Sequence, residues 1–359
     1  MPSSRPRVKF NQDGICNACL YIENKKNIDW KSREKEFLEI CNQNRSKDGN
    51  YDCIVPWSGG KDSSSIAHKL KFKYNMNPLL VTFSPLIPSE IGTYNRDSLI
   101  NCGLDNYFFT PNGDVSKYLA NRFFIERGNP KIHWDAGINA LPIHVAIEKN
   151  IKLVFYAEHG ESEYGGNVLK KDSDKIRDLD EVLENQIGDL PENWVDENVS
   201  INDLNMYRYP DIEKISKQGI KAYYFSYFFK WDVFENYKYC QNNFDFKSND
   251  TRISGTFQNY DSMDDHIDHL YYYMQYIKFG FGRCLRDVSR LVQNKHLTRE
   301  KAIEYVKRYD GEFPNDNLDK VLKFLNIDLI KLNETIEMHR NNEIWTLENN
   351  NLKKSFEIN

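Results

Sequence analysis

The run Cys53-Ile54-Val55-Pro56-Trp57-Ser58-Gly59-Gly60-Lys61-Asp62-Ser63-Ser64 passes from an apolar, strand-like stretch into a glycine pair and then a helical pattern. That order suits phosphate. Gly59 and Gly60 can take backbone angles that turn successive N–H groups toward one point, and Ser58, Ser63 and Ser64 add hydroxyl donors. A helix starting near Ser63 contributes free N–H groups and a positive dipole end, and Lys61 adds a full positive charge. Asp62 would repel bound phosphate unless a cation lay between them, so it is assigned to Mg²⁺. The competing reading is a Ser/Gly turn that caps an ordinary helix.

The elements that must position this loop follow from the surrounding pattern. From Tyr51 the short β-type runs Cys53 to Trp57, Leu79 to Phe83, Tyr107 to Phe109 and Leu153 to Tyr156 alternate with longer helical segments. That alternation predicts an α/β fold, a doubly wound parallel sheet with helices on both faces. Residues 1–50, with Cys16, Cys19 and a charged helical pattern from Trp30 to Cys41, read as an N-terminal appendage, and 51–220 as the α/β domain. An acidic stretch at about 170–205, broken by Pro191, reads as an insertion or mobile lid. Residues 221–345 read as a mainly helical region for substrate or partner, and 346–359 as a frayed tail.

Bulk properties limit the function classes. A net charge of -5 gives no general attraction for phosphate backbones, so nucleic acid is not the expected partner. No run reaches the ~18 to 20 apolar residues that cross a bilayer, so membrane insertion is not expected. Seven cysteines in 359 residues do not form a dense disulfide framework, and no apolar h-region follows Met1. The expected location is the cytoplasm.

The loop matches the SGGxDS signature of the PP-loop, N-type ATP pyrophosphatases and lacks the spacing of a Walker loop. Four further strings accompany it: Gly14 to Cys19, Ala157 to Gly166, Gly255 to Asp265 and Tyr276 to Arg283. Together they resemble the N-acetyl sugar amidotransferases of the WbpG/PseA type, over about Pro6 to Pro314. The resemblance implies a HUP-like (adenine nucleotide alpha hydrolase-like) PP-loop fold with the nucleotide at the carboxyl ends of the strands. It also implies conversion of an acetamido group on a sugar into an acetamidino group, in O-antigen or nonulosonic acid biosynthesis. The amide oxygen attacks ATP, pyrophosphate leaves, ammonia attacks the O-adenylyl imidate, and AMP departs. Ammonia would come from a glutaminase subunit resembling that of histidine biosynthesis (HisH-like).

Candidate residues follow from the loop and the resemblance together. Lys61, Asp62 and Glu158 are the catalytic candidates, with Ser58 to Ser64 on the phosphates. Thr82, Phe83 and Ser84, at a strand end, are candidates for adenosine contacts, against routine strand-end packing. Glu158, Glu161 and Glu163 follow the strand ending at Tyr156, where one of them can bind metal or accept a proton, although three acidic residues in a loop also suit a solvated surface. Glu161, Glu163, Tyr164, Asn259, Tyr260, Asp261, Lys278 and Arg283 are the substrate-binding candidates. Arg286 joins Lys278 and Arg283 as a candidate to neutralise phosphates or a sugar carboxylate, while Asp264 and Asp265 can bind sugar hydroxyls or cap the next helix. His133, Trp134 and Asp135 are candidates for the acceptor pocket. Members of this family generally carry another Cys-x-x-Cys before the segment matching Gly14 to Cys19, so that two pairs can supply a four-thiolate zinc site; here the first pair is missing, so either the start is truncated, or Cys16 and Cys19 recruit other ligands, or no metal binds. Two alternatives stand beside this reading: a PP-loop tRNA-modifying enzyme of the thiolation or lysidine type, and a noncatalytic nucleotide-binding scaffold for a glutaminase.

Overall fold

A computed structural model describes residues 1–168, 174–348 and 351–356. Among the described residues, five parallel strands form one sheet: β1 (Cys53–Pro56), β2 (Pro78–Phe83), β3 (Asp105–Phe109), β4 (Leu153–Tyr156) and β5 (Lys221–Tyr224), in the order β3-β2-β1-β4-β5. Register is fixed by pairs such as Val55 with Leu80 and Phe155 with Tyr223. Because side chains alternate along a strand, each strand feeds two cores. Val55, Leu80 and Phe155 enter one, while Ile54, Val81 and Val154 enter the other. Both faces are therefore covered, as a parallel sheet requires. The order reverses direction between β1 and β4, which opens a crevice at their carboxyl ends. The phosphate loop leaves β1 there.

The boundaries expected from the sequence move. Helix Trp30–Gln43 is no appendage, because Phe37 and Cys41, four residues apart on one face, are fully buried in the sheet core. The Phe37 ring lies 5.3 Å from that of Phe155 on β4. At the other end, β5 begins at Lys221, so the sheet continues past residue 220 into what reads in sequence as the helical region. The insertion expected at about 170–205 begins with residues 170–173, which lie outside the described residues. From residue 174 it is not a lid: Trp194 is fully buried, edge-on to Phe123 at 5.0 Å, and Val182, Ile187, Val199 and Leu204 join the same core. Its apolar residues are irregularly spaced because they fill the sheet face from short helical turns such as Pro191–Trp194 and Ile201–Leu204 rather than from one long helix.

The C-terminal region is helical, with Val233–Asn243 packed on the helix that follows the loop and Asp268–Phe279 and Arg283–Gln293 lining the loop's cavity. The tail expected to fray instead pairs Trp345–Glu348 with Asn351–Lys354 as antiparallel strands β6 and β7; residues 349–350 and 357–359 lie outside the described residues. Trp345 anchors it, its indole N–H donating to the Ile277 carbonyl at 2.8 Å. Among the described residues no helix is long and apolar enough to cross a membrane.

Candidate active site

The loop is shaped by its glycines and by one indole. Gly59 sits at φ +100°, and a Cβ there would come within 2.6 Å of Arg96 Cγ and 3.2 Å of the Gly92 carbonyl oxygen. Only glycine meets both conditions. We expect Gly59→Ala to cost about 1–3 kcal/mol of stability, read by urea denaturation; an unchanged midpoint would show that the turn tolerates a side chain. Behind the loop, Trp57 Nε1 donates to Ser64 Oγ at 2.8 Å. Ser64 is fully buried in this contact and holds the loop against the sheet rather than facing the cleft. Gly60 caps the helix Lys61–His68, whose first amides have no acceptor within the helix.

Ser58 to Ser63 line a cavity of about 360 Å³ whose opposite wall comes from Tyr260 to Asp264 and from the helices carrying Tyr272 and Arg286. Lys61, 2% exposed, bridges the two walls: its Nζ lies 2.8 Å from Asp62 Oδ2 and 2.7 Å from Asp261 Oδ1. Burial alone would depress the ammonium, but Asp261 and Asp62 reverse this and hold it well above its ordinary range. The full positive charge expected at Lys61 is thus already balanced by two carboxylates. Asp62 is completed by Asn236 Nδ2, 2.9 Å from Oδ1. Asp261 also receives Arg286 at 2.8 Å. Burial works to raise its carboxyl, yet Lys61, Arg286 and Arg283 outweigh that and hold it below the usual carboxylate range. The same cavity is lined by Lys131, Trp134, Asp135, Asp264 and Asp268. Lys131 is ion-paired with Asp268 and sits 4.1 Å from the Trp134 ring centre.

A second cavity of about 330 Å³ adjoins the loop on the β4 side, where Ser58, Ser63 and Trp134 line both spaces. Its floor is apolar, from Val81, Phe83 and Tyr156, and Glu158 stands at its edge. Burial first, and the charge of Asp62 second, push the Glu158 carboxyl up to about 7; Tyr164 donates to it at 3.1 Å.

Other expected residues lie elsewhere. Thr82 is fully buried with its hydroxyl on Asn106 Oδ1 at 3.1 Å, and Ser84 is buried with its carbonyl accepting from Trp134 Nε1, so of that trio Phe83 alone lines the second cavity. Glu161 is held by Arg7 at 3.0 Å and by the Asn167 amide. Glu163 is fully buried between Lys25 and Arg290, the latter at 2.6 Å. It is a packing anchor and lines neither of the two cavities at the loop. Asn259 pins a loop through the Asn249 carbonyl at 2.7 Å. Arg283, 2% exposed, bonds the Asp261 carbonyl and positions that residue from behind. His133 is buried on Ser116, and Asp265 caps the backbone of Leu86 and Ile87, and neither lines the cavity at the loop. Lys278 lines a separate cavity. Cys16 is buried and Cys19 exposed, and among the described residues no group of three or more His, Cys, Asp or Glu gathers to hold a metal. Asn236, Lys131 and Asp268 carry no spacing signal that singles them out in the sequence.

Residues 254–357 match a family model described as LPS biosynthesis protein WbpG-like, C-terminal domain. The match covers under a third of the chain and points to lipopolysaccharide biosynthesis. A stretch of 81 residues is 36% identical to an uncharacterized protein, MJ1599, of Methanocaldococcus jannaschii, covering 22% of this chain and 29% of that protein. The chain therefore matches less than a third of that relative's length.

Proposed function

We propose that the chain is an ATP-dependent amidotransferase of the WbpG/PseA type on a PP-loop fold, which replaces the amide oxygen of an N-acetylated sugar with nitrogen. One observation supports this most: the region matched to the WbpG-like domain supplies Tyr260, Asp261 and Arg286 to the cavity that begins at the glycine loop, with Asp261 on Lys61 at 2.7 Å. A phosphate-type loop and a wall from a polysaccharide-biosynthesis domain then face one space. The amide oxygen attacks the α-phosphorus of ATP and pyrophosphate leaves; ammonia adds to the activated carbon, loses a proton, and AMP departs with the former amide oxygen. Glu158, at the edge of the adjoining cavity, would take that proton.

The donor set fits nucleotide and metal. The loop offers unpaired helix-start amides, and Asp62 presents a carboxylate that is 24% exposed on the cavity side. Asp62 would hold Mg²⁺, which neutralises phosphate charge when bound. Phe83 and Tyr156 give the apolar surface suited to a base. Ammonia delivery by a glutaminase partner belongs to the same proposal.

The deciding experiment supplies ATP, Mg²⁺ and ammonium with a panel of acetamido sugars. Expected are pyrophosphate release and a product about one dalton lighter, as NH replaces O; pyrophosphate without the mass change, or neither, refutes the proposal. The Glu158 carboxyl adds a pH signature. Its folded value, about 7, lies above the ordinary carboxylate range, so its contribution to stability is complete below about pH 4 and is lost as pH rises through about 7. Catalysis runs the other way: the base works once deprotonated, so turnover should climb through about pH 7, and Glu158→Gln should flatten that limb.

A further inference from the structure

The helix that follows the glycine loop meets Val233–Asn243 along one face, and that contact holds a chain of polar groups ending on Asp62. Asp62 and Lys69 lie two helical turns apart in sequence and share that face. At Lys69 the helix widens into a π turn, Lys69–Lys73, in which the Tyr74 amide donates to the Lys69 carbonyl at 3.0 Å. Such turns recur at functional sites. Between the two side chains stands Asn236, 5% exposed: its Oδ1 accepts from Lys69 Nζ at 3.3 Å and its Nδ2 donates to Asp62 Oδ1 at 2.9 Å. Cys240, one turn beyond Asn236, donates to the Lys61 carbonyl at 3.2 Å and fixes the same helix to the loop.

An ammonium can only donate, so Lys69 dictates which way the Asn236 amide points: oxygen toward Lys69, nitrogen toward Asp62. Among the described residues Lys69 lies within ion-pair distance of no carboxylate; the acidic side chain whose charge reaches it is Asp62, across that amide, and its remaining contact is the Tyr239 ring, 4.6 Å from Nζ. With the Lys61 ammonium on Oδ2 and the Asn236 amide on Oδ1, rotation of the Asp62 carboxylate breaks one bond or the other, while each oxygen keeps acceptor capacity for a cation. We infer that Lys69 and Asn236 are positioning residues, which orient the Asp62 carboxylate to receive the divalent cation of the nucleotide. This rests on the proposed function only for the assignment of metal to Asp62. Groups behind a metal ligand set its affinity without touching the metal. Without Lys69 the amide is free to turn its oxygen on the carboxylate, acceptor against acceptor.

Metal binding can be read without turnover. Free Mn²⁺ is titrated by electron paramagnetic resonance against protein saturated with α,β-methylene ATP, whose bridging carbon resists cleavage to AMP and pyrophosphate; affinity for the analogue alone is measured in EDTA. Lys69→Met and Asn236→Leu should each weaken Mn²⁺ by about 10- to 100-fold, the scale of a group behind a metal ligand, while the analogue in EDTA stays within about threefold of the parent. Lys69→Arg keeps the donor and should hold Mn²⁺ within about threefold of the parent. Unchanged Mn²⁺ affinity in Lys69→Met overturns the relay, as does Lys69→Arg falling as low as Lys69→Met. A parallel loss of the analogue in EDTA overturns it too, because the loop itself is then distorted. Asp62→Asn separates this inference from its premise: if that variant binds Mn²⁺ like the parent, or the parent binds none, the metal assignment falls and the relay with it, whereas loss in Asp62→Asn with none in Lys69→Met sinks the relay alone. No sugar is present, so failure to form an acetamidino product leaves the outcome intact.

Discussion

Asp62→Asn should lower pyrophosphate release by at least about 100-fold, the scale expected when a metal-holding carboxylate is removed, while the protein stays folded. The two halves of that expectation come from different contacts. Lys61 keeps Asp261 at 2.7 Å, so the substitution does not strand a buried ammonium. Asn236 still meets an oxygen or a flipped amide at position 62, so the stability loss stays near about 1–2 kcal/mol. Steady-state pyrophosphate assays beside a urea titration check both. Turnover within threefold of the parent would remove Asp62 from the chemistry. Lys61→Ala is a poorer probe: it leaves Asp62 and Asp261 facing each other without their shared cation, and lost activity would be mixed with lost stability.

The largest stability effect should come from Glu163→Ala. Its carboxylate is fully buried between Lys25 and Arg290, and Arg290 also donates to the Glu163 carbonyl at 2.7 Å. Removing it leaves two buried cations without a partner, a loss of about 3–5 kcal/mol. Equilibrium denaturation measures this directly. A change under about 1 kcal/mol would mean that water replaces the carboxylate at little cost. Below the melting range the Michaelis constants of the variant should match those of the parent, because Glu163 lines none of the cavities at the loop.

The glycine loop, the strand before it and the alternation of strands with helices were legible in the sequence, because each is local: a few adjacent residues determine the turn, and period-two and helical patterns are short-range. Four of the five strands fall where the β-type runs lie. What was not legible is tertiary. Trp30–Gln43 reads as polar because only Phe37 and Cys41 are buried, yet these two fix it to the sheet. Charged residues mislead most: Glu158, Glu161 and Glu163 share one string, yet the first edges a cavity, the second meets Arg7 and the third is sealed in an ion triad. Their roles depend on Lys25, Arg290 and Arg7, far off in the chain. Asp261 was legible as a sugar-side candidate, but its bond to Lys61 spans 200 residues and no local pattern encodes it.

That single shared ammonium has a thermodynamic consequence. Any anion that draws Lys61 toward the glycine turn leaves Asp261 to Arg286, and any occupant that displaces Asp261 frees Lys61 for the turn. Reciprocity then requires that each ligand alter the other's affinity by the same factor. Two occupants of this cavity would then be weighed against one another through one proton-rich nitrogen.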